Sequence, residues 1–159
     1  MLWTMSRLKN KKDSWHLALQ ILGRRSHSEY EMRQKLHGKG CTADEIDDAI
    51  SRLLTYDYLN DTKFATQLFS KYMSARKYSL TIMICKLKQH GLSDTIVKSV
   101  TSSYNDEKEL SSALKVVNSK FKSYDMMNKE KMYRFLAAKG FSSSTIHKVF
   151  QQIGDDETY

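Results

Sequence analysis

Three times along the chain a methionine is followed four residues later by a leucine and four after that by a glycine. The sets are Met32, Leu36, Gly40; Met83, Leu87, Gly91; and Met132, Leu136, Gly140. The register continues past each glycine. An apolar residue comes next (Cys41, Leu92, Phe141), then a hydroxyl (Thr42, Ser93, Ser142), then a branched aliphatic four further on (Ile46, Val97, Ile146), and Ala49, Val100 or Val149 three beyond that. Apolar positions four apart share one helix face. Glycine after the last of them predicts a left-handed cap ending the helix. The hydroxyl predicts an N-cap for the next helix, and the apolar residues flanking it predict a hydrophobic staple. The glycines are 51 and 49 residues apart, a period that marks a repeat architecture.

The polar and apolar pattern between these frames predicts the remaining elements. Trp15, Ala18, Leu19 and Leu22 share a face of a first helix over 14–23. Ser28 with Glu31, and Thr42 with Glu45, read as capping boxes opening the next two. Asn60-Asp61 opens a helix with Phe64, Ala65, Leu68, Phe69 and Tyr72 apolar, and Asn105-Asp106 opens one with Leu110, Leu114, Val117 and Phe121. The expectation is an all-α chain of about nine helices in three tandem three-helix repeats, stacked into an elongated, curved module. The divisions are a flexible basic arm at 1–13, repeats at 14–57, 58–105 and 106–154, and an acidic tail at 155–159. Ile82-Met83-Ile84-Cys85 is apolar all round, predicting burial of that helix on more than one face.

Composition changes this picture in two ways. Proline is absent and there are two cysteines with no CxxC pattern, which suits a helical chain in a reducing cytoplasm. No apolar run is long enough for a secretory signal or a membrane span, so the expectation is a soluble, intracellular protein. The net charge of +8 is unevenly spread. Residues 14–57 carry −1 (six basic against seven acidic), 58–105 carry +5 (seven against two) and 106–154 carry +4 (nine against five). The second and third repeats therefore set the field, and a polyanion is the kind of partner it favours.

Candidate chemistry is sparse. The five histidines are scattered, and no catalytic triad order, phosphate loop or zinc-protease motif is present, so the expectation is no enzyme, no cofactor and no metal. Asp44, Glu45, Asp47 and Asp48 read as first-turn carboxylates complementing a helix dipole rather than metal ligands. Cys41 aligns with Leu92 and Phe141 and reads as core. The candidate binding residues are cations: Arg76, Lys77, Lys86, Lys88 and Lys98 in the second repeat, and Lys131, Arg134, Lys139 and Lys148 in the third. Long cationic side chains position phosphates and make binding salt-dependent. Lys39, His90 and Lys139 precede the turn glycines, where a cation also stabilises a helix C-terminus. Tyr72, Tyr78, Tyr124 and Tyr133 could stack on bases, but helical aromatics more often pack.

Four segments resemble a known family. Arg25-Ser26-His27-Ser28-Glu29-Tyr30-Glu31-Met32-Arg33-Gln34-Lys35-Leu36 is similar to the opening Arg-x-x-Ser-Glu-x-Glu-Leu-x-x-Lys-Leu stretch of the RecX regulatory proteins. Tyr58-Leu59-Asn60-Asp61-Thr62-Lys63-Phe64-Ala65 resembles their Tyr-Leu-Asp-Asp-x-x-Phe segment. Leu87 to Ser93 and Phe135 to Phe141 resemble their two Gly-containing helix ends. The resemblance spans about residues 14–153. It implies three tandem three-helix repeats that bind the RecA recombinase–DNA filament and lower recombinase and ATPase activity, modulating DNA repair, recombination and the SOS response. It departs at Ser79-Leu80, where the family usually has Gly-Pro.

The partners so implied are the RecA filament and, weakly and without sequence preference, single- or double-stranded DNA, with no membrane and a monomeric protein. Two alternatives remain from the residues. One is a direct DNA-binding protein of helix-turn-helix type, although the would-be reading helices begin Ala43-Asp44-Glu45, Asp94-Thr95 and Ser143-Ser144, without base-reading side chains. The other is a helical-repeat scaffold with a purely protein partner.

Overall fold

The computed structural model describes residues 13–121 and 128–156; residues 1–12, 122–127 (with Tyr124) and 157–159 lie outside them. Among the described residues there are nine helices and no strand: α1 (Ser14–Leu22), α2 (Glu29–Gly38), α3 (Ala43–Thr55), α4 (Asp61–Ala75), α5 (Leu80–Gln89), α6 (Asp94–Thr101), α7 (Asp106–Lys120), α8 (Lys129–Ala138) and α9 (Ser143–Asp156). The chain divides into two compact units, Met1–Phe64 and Ala65–Tyr159.

The expected caps are in place. Thr42 Oγ1 accepts from the Glu45 amide while Glu45 accepts from the Thr42 amide, and Ser28 and Glu31 form the same reciprocal pair. Ser79 and Ser93 accept from the amides three residues on. Gly40, Gly91 and Gly140 have φ of +82°, +75° and +79°. Behind two of them the chain closes a Schellman turn. Cys41 and Phe141 donate to the carbonyls of Leu36 and Leu136, and Gly40 and Gly140 to those of His37 and Ala137.

In the first unit α1, α2 and α3 pack on one another around Met32, Leu36, Cys41, Ile46, Ile50, Leu53 and Leu59. In the second, α5 packs on α6, with Met83, Leu87, Leu92 and Val97 buried, and α7, α8 and α9 enclose Val117, Met132, Leu136, Phe141, Ile146 and Val149. Each Met/Leu pair is thus core, every member being at most 2 % exposed. Burial of such a side chain contributes about 1.5–3 kcal/mol.

The α5 expectation is met in part. Met83 is buried and Ile82 and Ile84 are half-buried, but Cys85 is exposed. Two residues beyond Met83 it points to the opposite side of the helix, the same register as the exposed Gln34 and Arg134 in the other repeats. The helical period outweighs the local apolar composition.

Candidate functional site

Helix ends and outward faces position the candidate cations, all in the second unit. Arg76 and Lys77 follow α4, and Arg76 is itself left-handed at φ +46°. Its amide bonds back to the Met73 carbonyl, so it occupies the helix-ending position where glycine stands after α2, α5 and α8. Lys86 and Lys88 lie on α5, Lys98 on α6, Lys131 and Arg134 on α8, Lys139 at its C-cap and Lys148 on α9. All are exposed except Lys86, which is half-buried.

Their environments differ, and this sorts them. Lys86 Nζ stands 4.9 Å from the Tyr78 ring centre and 5.9 Å from that of Tyr72, and the two rings meet edge to face. Its charge is held by π-faces rather than by a carboxylate. Lys88 pairs with Asp94 at 2.8 Å; hydrogen bonding and charge raise the Lys88 pKa and lower that of Asp94. Arg134 pairs with Glu130 on its own helix, and Lys148 with Asp106 at 2.9 Å. Lys139 lies over the Phe135 ring. Arg76, Lys77, Lys98 and Lys131 are exposed with no carboxylate partner among the described residues. Arg76 also borders a cavity of ≈ 350 Å³ with Met73, Tyr104, Lys108 and Ser112.

The tyrosines behave as packing groups with a polar edge. Tyr72, Tyr78 and Tyr133 are half-buried, and Tyr133 Oη lies 3.1 Å from Ser143 Oγ. Among the described residues no group of histidine, cysteine or carboxylate side chains is arranged to hold a metal. Glu45 is engaged as a cap, Asp47 accepts from Arg33, and Asp48 faces Arg52. No helix among the described residues is long and apolar enough to cross a membrane.

The first unit holds its charges differently. Arg25 makes a two-pronged contact with Glu31, and Arg33 bridges Glu29 on α2 and Asp47 on α3. Hydrogen bonds to Asp47 and then Glu29 raise the Arg33 pKa. Arg52 stacks 4.1 Å over the Trp15 ring, which clusters with the exposed Tyr56 and Tyr58 at ring separations of 6.0–6.3 Å. That aromatic cluster is not evident in the sequence, where Tyr58 reads only as part of a motif.

Two groups the sequence did not single out as functional join the repeats of the second unit. Ser79 Oγ donates to the Lys139 carbonyl at 2.8 Å, and the Glu109 carboxylate accepts from the Leu80 amide at 3.0 Å. Burial raises the Glu109 pKa. The departure at Ser79-Leu80 was the available signal, since neither bond could be made by glycine followed by proline.

Comparison with known proteins fits this architecture. The family model for the RecX first three-helix domain matches residues 15–53, and that for the RecX third three-helix domain matches 106–150. These segments span α1–α3, and α7 through most of α9. The regulatory protein RecX of Chlorobium phaeobacteroides is 30 % identical over 145 residues, covering 89 % of this chain and 94 % of that one. That of Clostridium botulinum is 31 % identical over 151 residues, covering 89 % and 69 %. The crystal structure of RecX from Lactobacillus salivarius superposes with a TM-score of 0.77 at 21 % identity, over 89 % of this chain and 94 % of that one, and supports the fold. On these matches the chain belongs to the RecX family of regulatory proteins.

Proposed function

We propose that this protein is a non-enzymatic, monomeric, cytoplasmic regulator that binds the RecA recombinase–DNA filament and lowers its recombinase and ATPase activity. The observation that carries this reading, beyond family membership, is the set of exposed cations Arg76, Lys77, Lys98 and Lys131, which have no carboxylate partner among the described residues. They belong to repeats carrying +5 and +4, whereas residues 14–57 carry −1 and tie three of their six cations, Arg25, Arg33 and Arg52, to their own carboxylates. Unpaired cations contact phosphates without first giving up an internal partner, and the counterions they release make binding fall with salt. Inhibition then needs no reacting group, only tighter binding to one state of the filament than to another. The same cations give weak, sequence-independent binding to free DNA, because nothing among them reads base edges in a fixed pattern.

The test replaces Arg76, Lys77, Lys98 and Lys131 together with alanine and measures inhibition of RecA ATPase on single-stranded DNA at physiological salt. Arg24, Lys35 and Lys39, exposed cations of the first unit, serve as the control set. Loss of inhibition in the first variant with retention in the second is expected. Wild-type inhibition by the folded four-site variant would remove the surface from the mechanism.

A further inference from the structure

We propose that Ser79 and Glu109 are positioning residues that lock the basic helices of repeats two and three into one frame, so that both present their cations to the same polyanion. The inference rests on the proposed function for its consequence, and on hydrogen bonds alone for its geometry. A helix leaves its first four N–H groups and last four carbonyls without internal partners. Where repeats two and three meet, each supplies the other's missing partners. The Leu80 amide, first in α5, donates to Glu109 of α7. The Ala75 carbonyl, last in α4, accepts from Lys115 of α7 at 3.3 Å. The Lys139 carbonyl, at the end of α8, accepts from Ser79.

Ser79 holds both sides at once. It is fully buried, and its oxygen accepts from the Ile82 amide at 3.3 Å while its proton goes to Lys139. A hydroxyl has one donor and two acceptor sites, so both uses are compatible. Gly140 permits the approach: a β-carbon there would lie 2.7 Å from Ser79 Oγ. The first unit contains a parallel exchange. The Glu29 amide, first in α2, donates to Asp61 at the start of α4 at 2.8 Å. In both places the second helix of a repeat is capped by a carboxylate from the first helix of the next, and that charge also complements the helix dipole.

The functional consequence follows from which helices are tied. Arg76 and Lys77 sit between the two tied ends of α4 and α5, Lys86 and Lys88 lie on α5, and Lys131, Arg134 and Lys139 lie on α8. Fixing these helices to one another removes an ordering cost that binding would otherwise meet.

The test uses Ser79→Gly with Leu80→Pro, which deletes both donors without changing net charge. Glycine is a tolerated N-cap and proline a favoured first helical residue, so α5 retains its start. Spin labels on the native exposed Cys85 and on Gln152→Cys report the spread of distances between the repeats. Binding to fluorescent oligo(dT) across salt reports how many phosphates are met together. A narrow distance distribution in the wild type and a broad one in the double variant are expected, with roughly tenfold weaker binding and a shallower salt slope. Glu109→Gln keeps an acceptor for Leu80 and is expected to behave as wild type. An unchanged distribution in the folded double variant overturns the proposal. A broadened one with unchanged affinity and slope overturns its link to binding. If the wild type itself shows no salt-dependent binding, the polyanion reading fails, while the distances still decide the junction. Should the double variant fail to fold, Glu109→Ala under the same two measurements decides the matter in its place.

Discussion

Gly140→Ala is expected to destabilise the protein more than Gly40→Ala, and most of the excess is expected to be lost in a Ser79→Gly background. Both glycines are left-handed, at +79° and +82°. A β-carbon in that conformation costs roughly 1–2 kcal/mol. About 0.4–1 kcal/mol returns through the lower entropy of the unfolded chain. At Gly40 a new β-carbon meets nothing within 4 Å, so the net effect there is about 1 kcal/mol. At Gly140 it would lie 2.7 Å from Ser79 Oγ and 3.3 Å from Ile82 Cγ1. Ser79 is buried, so its hydroxyl moves only by giving up the Lys139 bond, its cap on α5, or both. Each is worth about 1 kcal/mol, which places the total near 2–3 kcal/mol. Urea unfolding followed by circular dichroism measures both variants, and Ser79→Gly alone and with Gly140→Ala completes a double-mutant cycle. The cycle pairs two residues of one unit, Ser79 and Gly140, so its coupling energy avoids comparing transitions that belong to different units. A coupling energy of zero between Gly140 and Ser79 would refute the close-approach argument.

Three further outcomes are expected. Gly91→Val lowers the thermal midpoint more than Lys88→Ala, because Gly91 has φ +75° whereas Lys88 is exposed; equal midpoints would count against the turn. His27 is buried, with Nδ1–H donating to the Arg25 carbonyl at 2.8 Å, and burial and then the Arg25 charge lower its pKa below the ordinary 6.5. The unfolded chain therefore takes up the proton first, and stability present above about pH 6.5 is lost as pH falls through the lowered value. Melting curves between about pH 7 and 5 check this, and His27→Gln removes that part of the slope. Arg33→Ala destabilises by roughly 1 kcal/mol, since Arg33 bridges Glu29 on α2 and Asp47 on α3; an unchanged urea midpoint would contradict the bridging role.

Much of the fold is legible in the sequence because its determinants are local. The Met/Leu stripe repeats at the helical period, the hydroxyl caps bond amides three residues away, and each glycine takes the left-handed conformation its position requires. Such signals are complete within about one helical turn, so the chain carries them wherever the element lies. The outward direction of Cys85 follows from the same period, since it stands two residues beyond the buried Met83. The candidate surface is different. The sequence supplies the cations but not their neutralisation: Lys148 meets Asp106 across 42 residues, and Lys86 meets the faces of two tyrosines. The junction is more distant still, with Ser79 reaching Lys139 across 60 residues and Leu80 reaching Glu109 across 29. Whether a buried hydroxyl or carboxylate finds a partner depends on which helix ends the packing brings within about 3 Å, and no local pattern encodes that distance. The sequence by itself determined the helices, their ends and their cores; tertiary packing decided which cations stay unpaired and which residues hold the repeats in register.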